Sequence, residues 1–137
     1  FIMSIVYMDK IDAFLKFIFH ISILLLIVLT LFPGSLIGLL LYGDLKLQPI
    51  LIENPFGASF NHFIFYVYVS ILGLFVYLKN KNFKKIVYGL FFLAVFLELS
   101  HILVPNRAFQ LYDLIANILG VLVAYFLVKI YLYFIKP

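Results

Sequence analysis

Seven polar side chains in this sequence have the types and spacing that ligand binding or acid–base chemistry requires. They form three pairs and one single residue: His62 with Tyr66, Glu98 with His101, Asp113 with Asn117, and Arg107. Residues three or four apart lie on the same face of a helix. Ionisable groups inside a membrane are costly and usually functional. We therefore take these seven as candidate ligand-binding residues.

Three kinds of chemistry fit this set. The first is a structural network, in which Asp113 caps a helix and Arg107 neutralises Glu98 or Asp113 at ion-pair distance. The second is an anion site, because an arginine beside a helix N-terminus suits phosphate or carboxylate. The third is a metal or catalytic site. Its spacing matches no known ligand signature, and no serine lies in a nucleophile motif. We assign no catalytic residue, metal ligand or cofactor.

The elements that position these residues are predicted to be membrane helices. Of the 137 residues, 66% are hydrophobic and 12% are charged, against about 25% charged in soluble domains. The apolar residues form long blocks, which is typical of a polytopic membrane protein. The absence of cysteine excludes disulfides and thiolate metal sites. The lysines cluster at the ends of the blocks, so the net charge of +4 does not indicate a nucleic-acid partner.

Hydropathy predicts one all-α membrane domain, a four-helix bundle with spans at about 14–32, 61–78, 86–104 and 114–128. Pro105 should end the third span, because proline cannot donate a helical hydrogen bond. Gly120 and Ala124 should let another backbone approach the fourth span. Residues 1–16 are predicted to form an interfacial segment. Leu36 to Tyr42 should form a short helix that lies in the interface or re-enters the membrane.

Eight of the ten basic residues lie in the segments that become cytoplasmic if both termini are inside: Lys10, Lys16, Lys79, Lys81, Lys84, Lys85, Lys129 and Lys136. This bias predicts cytoplasmic termini. The seven candidate residues then lie near the outer surface, where spans two, three and four are expected to form a pocket. A multi-pass protein of the bacterial cytoplasmic membrane, in contact with membrane lipids, is the predicted setting.

The segment from Glu98 to Gly120 resembles the signature of VanZ-like membrane proteins. That signature has a glutamate, a proline–arginine turn, and an aspartate, an asparagine and a glycine opening the last span. The proline–glycine end of the first span (LTLFPG) and the pair His62 and Tyr66 also fit. His101 stands where the family usually has glutamine, and Ala58 and Ser59 replace an aspartate–lysine pair.

The resemblance implies a fold and a site rather than a reaction, since most members of the family have no assigned activity. Our leading interpretation is a non-enzymatic envelope protein that binds an anionic lipid headgroup or cell-envelope precursor. The alternative is a small accessory subunit of a larger membrane complex. A metal-assisted membrane hydrolase is the third hypothesis.

The predicted orientation can be tested by cysteine labelling, because the sequence has no cysteine of its own. Single cysteines at Asn54 and Asn82 should differ: an impermeant thiol reagent added outside intact cells should label Asn54→Cys and spare Asn82→Cys. Labelling of both after permeabilisation is the control. The opposite pattern would mean that the orientation is inverted and the polar residues face the cytosol.

Overall fold

The computed structural model describes residues 2–135, with side chains described from Lys10 onward. Within this range every regular element is an α-helix: α1 (Ile2–Leu31), α2 (Leu36–Tyr42), α3 (Ser59–Val76), α4 (Phe83–Ser100) and α5 (Leu111–Ile135). The all-α prediction is confirmed, and so is the short helix at α2. The predicted interfacial segment is not separate, because α1 continues through it without a break. Lys136, one of the residues used for orientation, lies outside the described range.

Three of the described helices are long and apolar enough to cross a membrane. They are Lys10–Leu31 within α1, the whole of α3 and the whole of α5. The remaining long helix, α4, has 18 residues and carries Lys84 and Lys85 at one end and Glu98 at the other. Length and composition therefore indicate a membrane protein.

The helices α4 and α5 differ at their ends from what the positions of Pro105 and Asp113 suggested. The helix α4 ends at Ser100 rather than at Pro105. The residues that follow form tight turns, in which each amide from His101 to Val104 donates to the carbonyl three residues earlier. The residue before a proline disfavours the α conformation, so the helix cannot run up to Pro105. At the other end, α5 starts at Leu111. Asp113 is thus inside the first helical turn and is not its cap.

The closest helix packing joins α3 and α5 at Gly120. A Cβ added there would lie 2.7 Å from Tyr66 Cβ and 2.8 Å from the Phe63 carbonyl oxygen. Ala124, one turn further along α5, is completely buried. The prediction that these small residues admit another backbone is confirmed, and the neighbouring backbone is that of α3.

A second contact holds α1 against α3. The ring of Phe19 occupies the space beside Gly73, and Ser22 Oγ lies 3.2 Å from the hydroxyl of Tyr68. Phe19 precedes Ser22 along α1, whereas Gly73 follows Tyr68 along α3, so α1 and α3 run antiparallel.

Replacing Gly120 by alanine should loosen the α3–α5 contact, because backbone atoms of α3 cannot move aside as a flexible side chain would. We expect Gly120→Ala to lower the free energy of unfolding by about 1–3 kcal/mol. Gly89→Ala is the matched control, since a Cβ there has no neighbour within 4 Å. The control should be neutral or slightly stabilising. Thermal unfolding in the same detergent would compare the two; equal melting temperatures would contradict the proposed contact.

Candidate functional site

Three titratable side chains from three helices meet at one end of the bundle. They are His62 on α3, Glu98 on α4 and Asp113 on α5, and their nitrogen and oxygen ligand atoms all lie within 4.8 Å of one another. His62 Nε2 is 3.7 Å from Asp113 Oδ2. Glu98 is fully buried and Asp113 is 2% exposed. The structure thus brings together residues that are 36 and 15 positions apart along the chain.

Each carboxylate in this group has one oxygen fixed by hydrogen bonds. Glu98 Oε1 accepts from the backbone amide of Gln110 at 3.0 Å and lies 3.2 Å from His101 Nδ1. Asp113 Oδ1 accepts from the hydroxyl of Ser59. The second oxygen of Glu98, Oε2, is buried without a hydrogen-bond partner among the described residues. The carboxylates are therefore held in place while one oxygen of Glu98 stays unpaired.

Sequence reasoning missed Ser59 and Gln110. Ser59 lies three residues before His62, which places both on one face of α3. That spacing was a usable signal. Nothing in the sequence indicated the contact of the Gln110 amide with Glu98, because the position of a backbone donor in a loop depends on how the loop folds.

Arg107 is positioned by a tight turn. Its amide donates to the carbonyl of Val104 at 3.2 Å, and Asn106 has a positive φ of 58°. Proline followed by a residue with positive φ is typical of a type II turn, and asparagine tolerates that conformation. The turn directs the guanidinium back toward the end of α1.

The polar groups of the α4–α5 connection cap the C-terminus of α1. Arg107 Nη2 donates to the Leu29 carbonyl at 2.8 Å and Nε donates to the Phe32 carbonyl at 3.4 Å. His101 Nε2 is 3.1 Å from the Thr30 carbonyl oxygen. The last carbonyls of a helix have no partner within the helix. These contacts satisfy three carbonyls at the end of α1 with two side chains from elsewhere in the chain.

The prediction that Arg107 pairs directly with Glu98 or Asp113 was wrong. Among the described side chains, the ion pairs are Lys16 with Asp12, His62 with Asp113 and His101 with Glu98. Burial lowers the pKa of Arg107 from its ordinary value, and the charges of the two carboxylates act in the opposite direction. Their influence on Arg107 is therefore long-range. Its hydrogen bonds go to α1 because the unpaired carbonyls of a helix end offer nearer acceptors.

Tyr66 and Asn117 join their helices to the backbone of α4. The Tyr66 hydroxyl donates to the Leu93 carbonyl, and Asn117 Nδ2 donates to the Ala94 carbonyl, each at 3.3 Å. Both side chains are buried. Of the seven predicted residues, these two therefore join helices, and three form the titratable group. The remaining two, Arg107 and His101, cap α1, and His101 also contacts Glu98.

A cleft of about 140 Å³ lies beside this group. It is lined by Leu26, Leu29, Thr30, Ser35, Leu36, Ile37, Gln48, Pro49, Leu51, Ala58, Asn61, His62, Phe65, Tyr66 and Arg107. Its walls come from α1, α2, the segment after α2 and the start of α3. The sequence predicted a pocket between the helices now numbered α3, α4 and α5, and three of its predicted residues, His62, Tyr66 and Arg107, line this cleft. Two of the lining residues are basic and none is acidic.

The comparison with protein-family models agrees with the resemblance. A model of the family described as VanZ/LLP1 matches residues 8–132. The chain belongs to the VanZ/LLP1 family. The matched range includes every candidate site residue, so the predicted resemblance is confirmed over nearly the whole chain. No curated protein and no solved structure matches the chain.

Removing the Arg107 side chain should destabilise this VanZ/LLP1 protein, because the carbonyls of Leu29 and Phe32 lose their donors. A buried polar group without a partner costs about 1–3 kcal/mol, so Arg107→Ala should lower the melting temperature clearly. Lys46→Ala is the control: it also removes a basic side chain from a loop, but an exposed one, and should change stability by less than about 0.5 kcal/mol. If the two variants melt together in detergent, the capping role is refuted.

Proposed function

We propose that this protein is a non-enzymatic, multi-pass protein of the bacterial cytoplasmic membrane. In this proposal its cleft binds the anionic headgroup of a lipid or a lipid-linked envelope precursor. The observation that carries the proposal is the lining of the cleft, which includes Arg107 and His62, no carboxylate, and many apolar side chains. That combination suits a molecule with an anionic group and a hydrocarbon part.

The guanidinium retains hydrogen-bonding capacity for such a ligand. Nε and Nη2 of Arg107 donate to α1, and Nη1 has no hydrogen-bond partner among the described residues. Arginine–phosphate hydrogen bonds are charge-assisted and stronger than neutral ones. A cleft of about 140 Å³ has room for roughly four or five waters at about 30 Å³ each. That volume can hold a phosphate group.

The direction of the helices supports a bundle of four spans with α4 as the third. Ser59 meets Asp113 and Tyr66 meets Gly120, so α3 and α5 run in parallel. The end of α1 meets the end of α4 through His101 and Thr30. The four long helices therefore alternate in direction along the chain. Lys84 and Lys85 can extend to the membrane surface at the start of α4. At the other end of α4, Glu98 is buried and accepts hydrogen bonds through Oε1.

Accessory-subunit function is the second candidate. Exposed aromatic side chains on α4 and α5 favour it, among them Tyr88, Phe92 and Phe134, at 72%, 62% and 78% exposure. Such a surface suits either lipid acyl chains or a neighbouring membrane protein.

Blocking the cleft tests headgroup binding without disturbing the α1 cap. Ile37 on α2 lines the cleft, while Leu40 on the same helix is 75% exposed. We expect Ile37→Trp to lose bound anionic lipid and Leu40→Trp to retain it. Each protein is reconstituted into nanodiscs of phosphatidylglycerol and phosphatidylcholine and then released from them. Native mass spectrometry measures which lipid stays bound to the released protein. Wild type should retain phosphatidylglycerol preferentially.

Equal retention of the two lipids by wild type, or equal retention by the two variants, would contradict the proposal. The accessory-subunit alternative would be favoured if one defined membrane protein co-purified stoichiometrically and the wild type showed no lipid preference. In that case Phe92→Ala, which changes an exposed side chain, should weaken the co-purification.

A further inference from the structure

We infer that His62, Glu98 and Asp113 form a binding site for one divalent transition-metal ion. The three side chains come from α3, α4 and α5, and their ligand atoms lie within 4.8 Å of one another. Three atoms that close together have a common centre no more than about 2.8 Å from each. Zinc binds histidine nitrogen and carboxylate oxygen at about 2.0–2.2 Å. Side-chain adjustments of less than about 1 Å would bring all three to bonding distance.

The unpaired oxygen of Glu98 is an independent indication of a ligand. Glu98 is completely buried, with 0% relative solvent exposure. Its Oε2 has no hydrogen-bond partner among the described residues. A buried oxygen without a partner is unfavourable, and more so when it is charged. The contact between His62 and Asp113 leaves this oxygen unsatisfied. A cation between the three side chains would satisfy it.

The surrounding hydrogen bonds orient the carboxylates as outer-shell partners do in metal sites. Ser59 donates to Asp113 Oδ1, and the Gln110 amide donates to Glu98 Oε1. The opposite oxygens are Asp113 Oδ2, which faces His62, and the unpaired Glu98 Oε2. Second-shell hydrogen bonds of this kind hold ligands in position and tune their affinity.

An ion has a route to this site. The side chain of His62 is 23% exposed while that of Asp113 is 3% exposed, and His62 lines the cleft. One imidazole and two carboxylates form a mixed nitrogen–oxygen set, which suits Zn²⁺ or Mn²⁺ better than the all-oxygen ions Ca²⁺ and Mg²⁺. Three protein ligands also leave a coordination position open.

Metal titration of the purified full-length protein tests this site. The protein is stripped with a chelator in nonionic detergent, without anionic lipid, and titrated with Mn²⁺ or Zn²⁺. We expect one ion per chain. Glu98→Gln and Asp113→Asn keep the side-chain shape and hydrogen-bonding oxygen, and should weaken binding at least about tenfold. Glu53→Gln and Asp44→Asn change exposed carboxylates outside the site and should bind as wild type does.

X-ray absorption of zinc-loaded wild type keeps the test decisive if a ligand variant fails to fold. The expected first shell has one imidazole nitrogen and otherwise oxygen atoms. The inference would be overturned if the protein bound no stoichiometric ion, or if the bound ion had no histidine ligand. Equal metal affinity in folded ligand variants and in the control variants would also overturn it. Ile37→Trp should bind the ion as tightly as wild type at equilibrium, because Ile37 is not one of the three ligands, although the filled cleft should slow the entry of the ion. Loss of lipid with retention of metal thus separates this site from the proposed headgroup function.

Discussion

The structure depends on the hydrogen bonds that the backbone carbonyls at the C-terminal end of α1 accept. A helix that ends in apolar surroundings exposes carbonyls that water cannot reach, and each one costs free energy. Arg107 and His101 provide the donors for Leu29, Thr30 and Phe32. Both donors come from the α4–α5 connection, so the same hydrogen bonds that complete α1 fix that connection against it.

Fixing the connection also determines where the carboxylates lie. His101 contacts Thr30 through one ring nitrogen and Glu98 through the other. The contact with His101 and the hydrogen bond from the Gln110 amide hold the buried carboxylate of Glu98 in place. The turn at Asn106 completes the arrangement by directing Arg107 toward α1.

Close approach of α3 and α5 brings the remaining parts of the site together. Because Gly120 has no side chain, the two backbones pack tightly there. Two turns earlier on α5, Asp113 reaches Ser59 and His62 on α3. His62 belongs both to this titratable group and to the wall of the cleft. An ion held by the group would therefore place positive charge beside the proposed anion site, so the two proposals are compatible although neither requires the other.

The sequence alone determined the helical fold, the family, the short helix α2 and the identity of the polar residues. Hydrophobic blocks and helical spacing are local properties, and Glu98 and Asp113 stand out because charges are rare in apolar segments. The partners of those residues were decided by tertiary structure. Arg107 was expected to bind a carboxylate, since opposite charges attract, but it binds the carbonyls of Leu29 and Phe32, which are 78 and 75 residues away along the chain. The walls that α1 and α2 add to the cleft were likewise not indicated by the sequence, because a cavity exists only where packed side chains leave space. Contacts and empty volume are properties of the assembled helices, and no spacing within one segment encodes them.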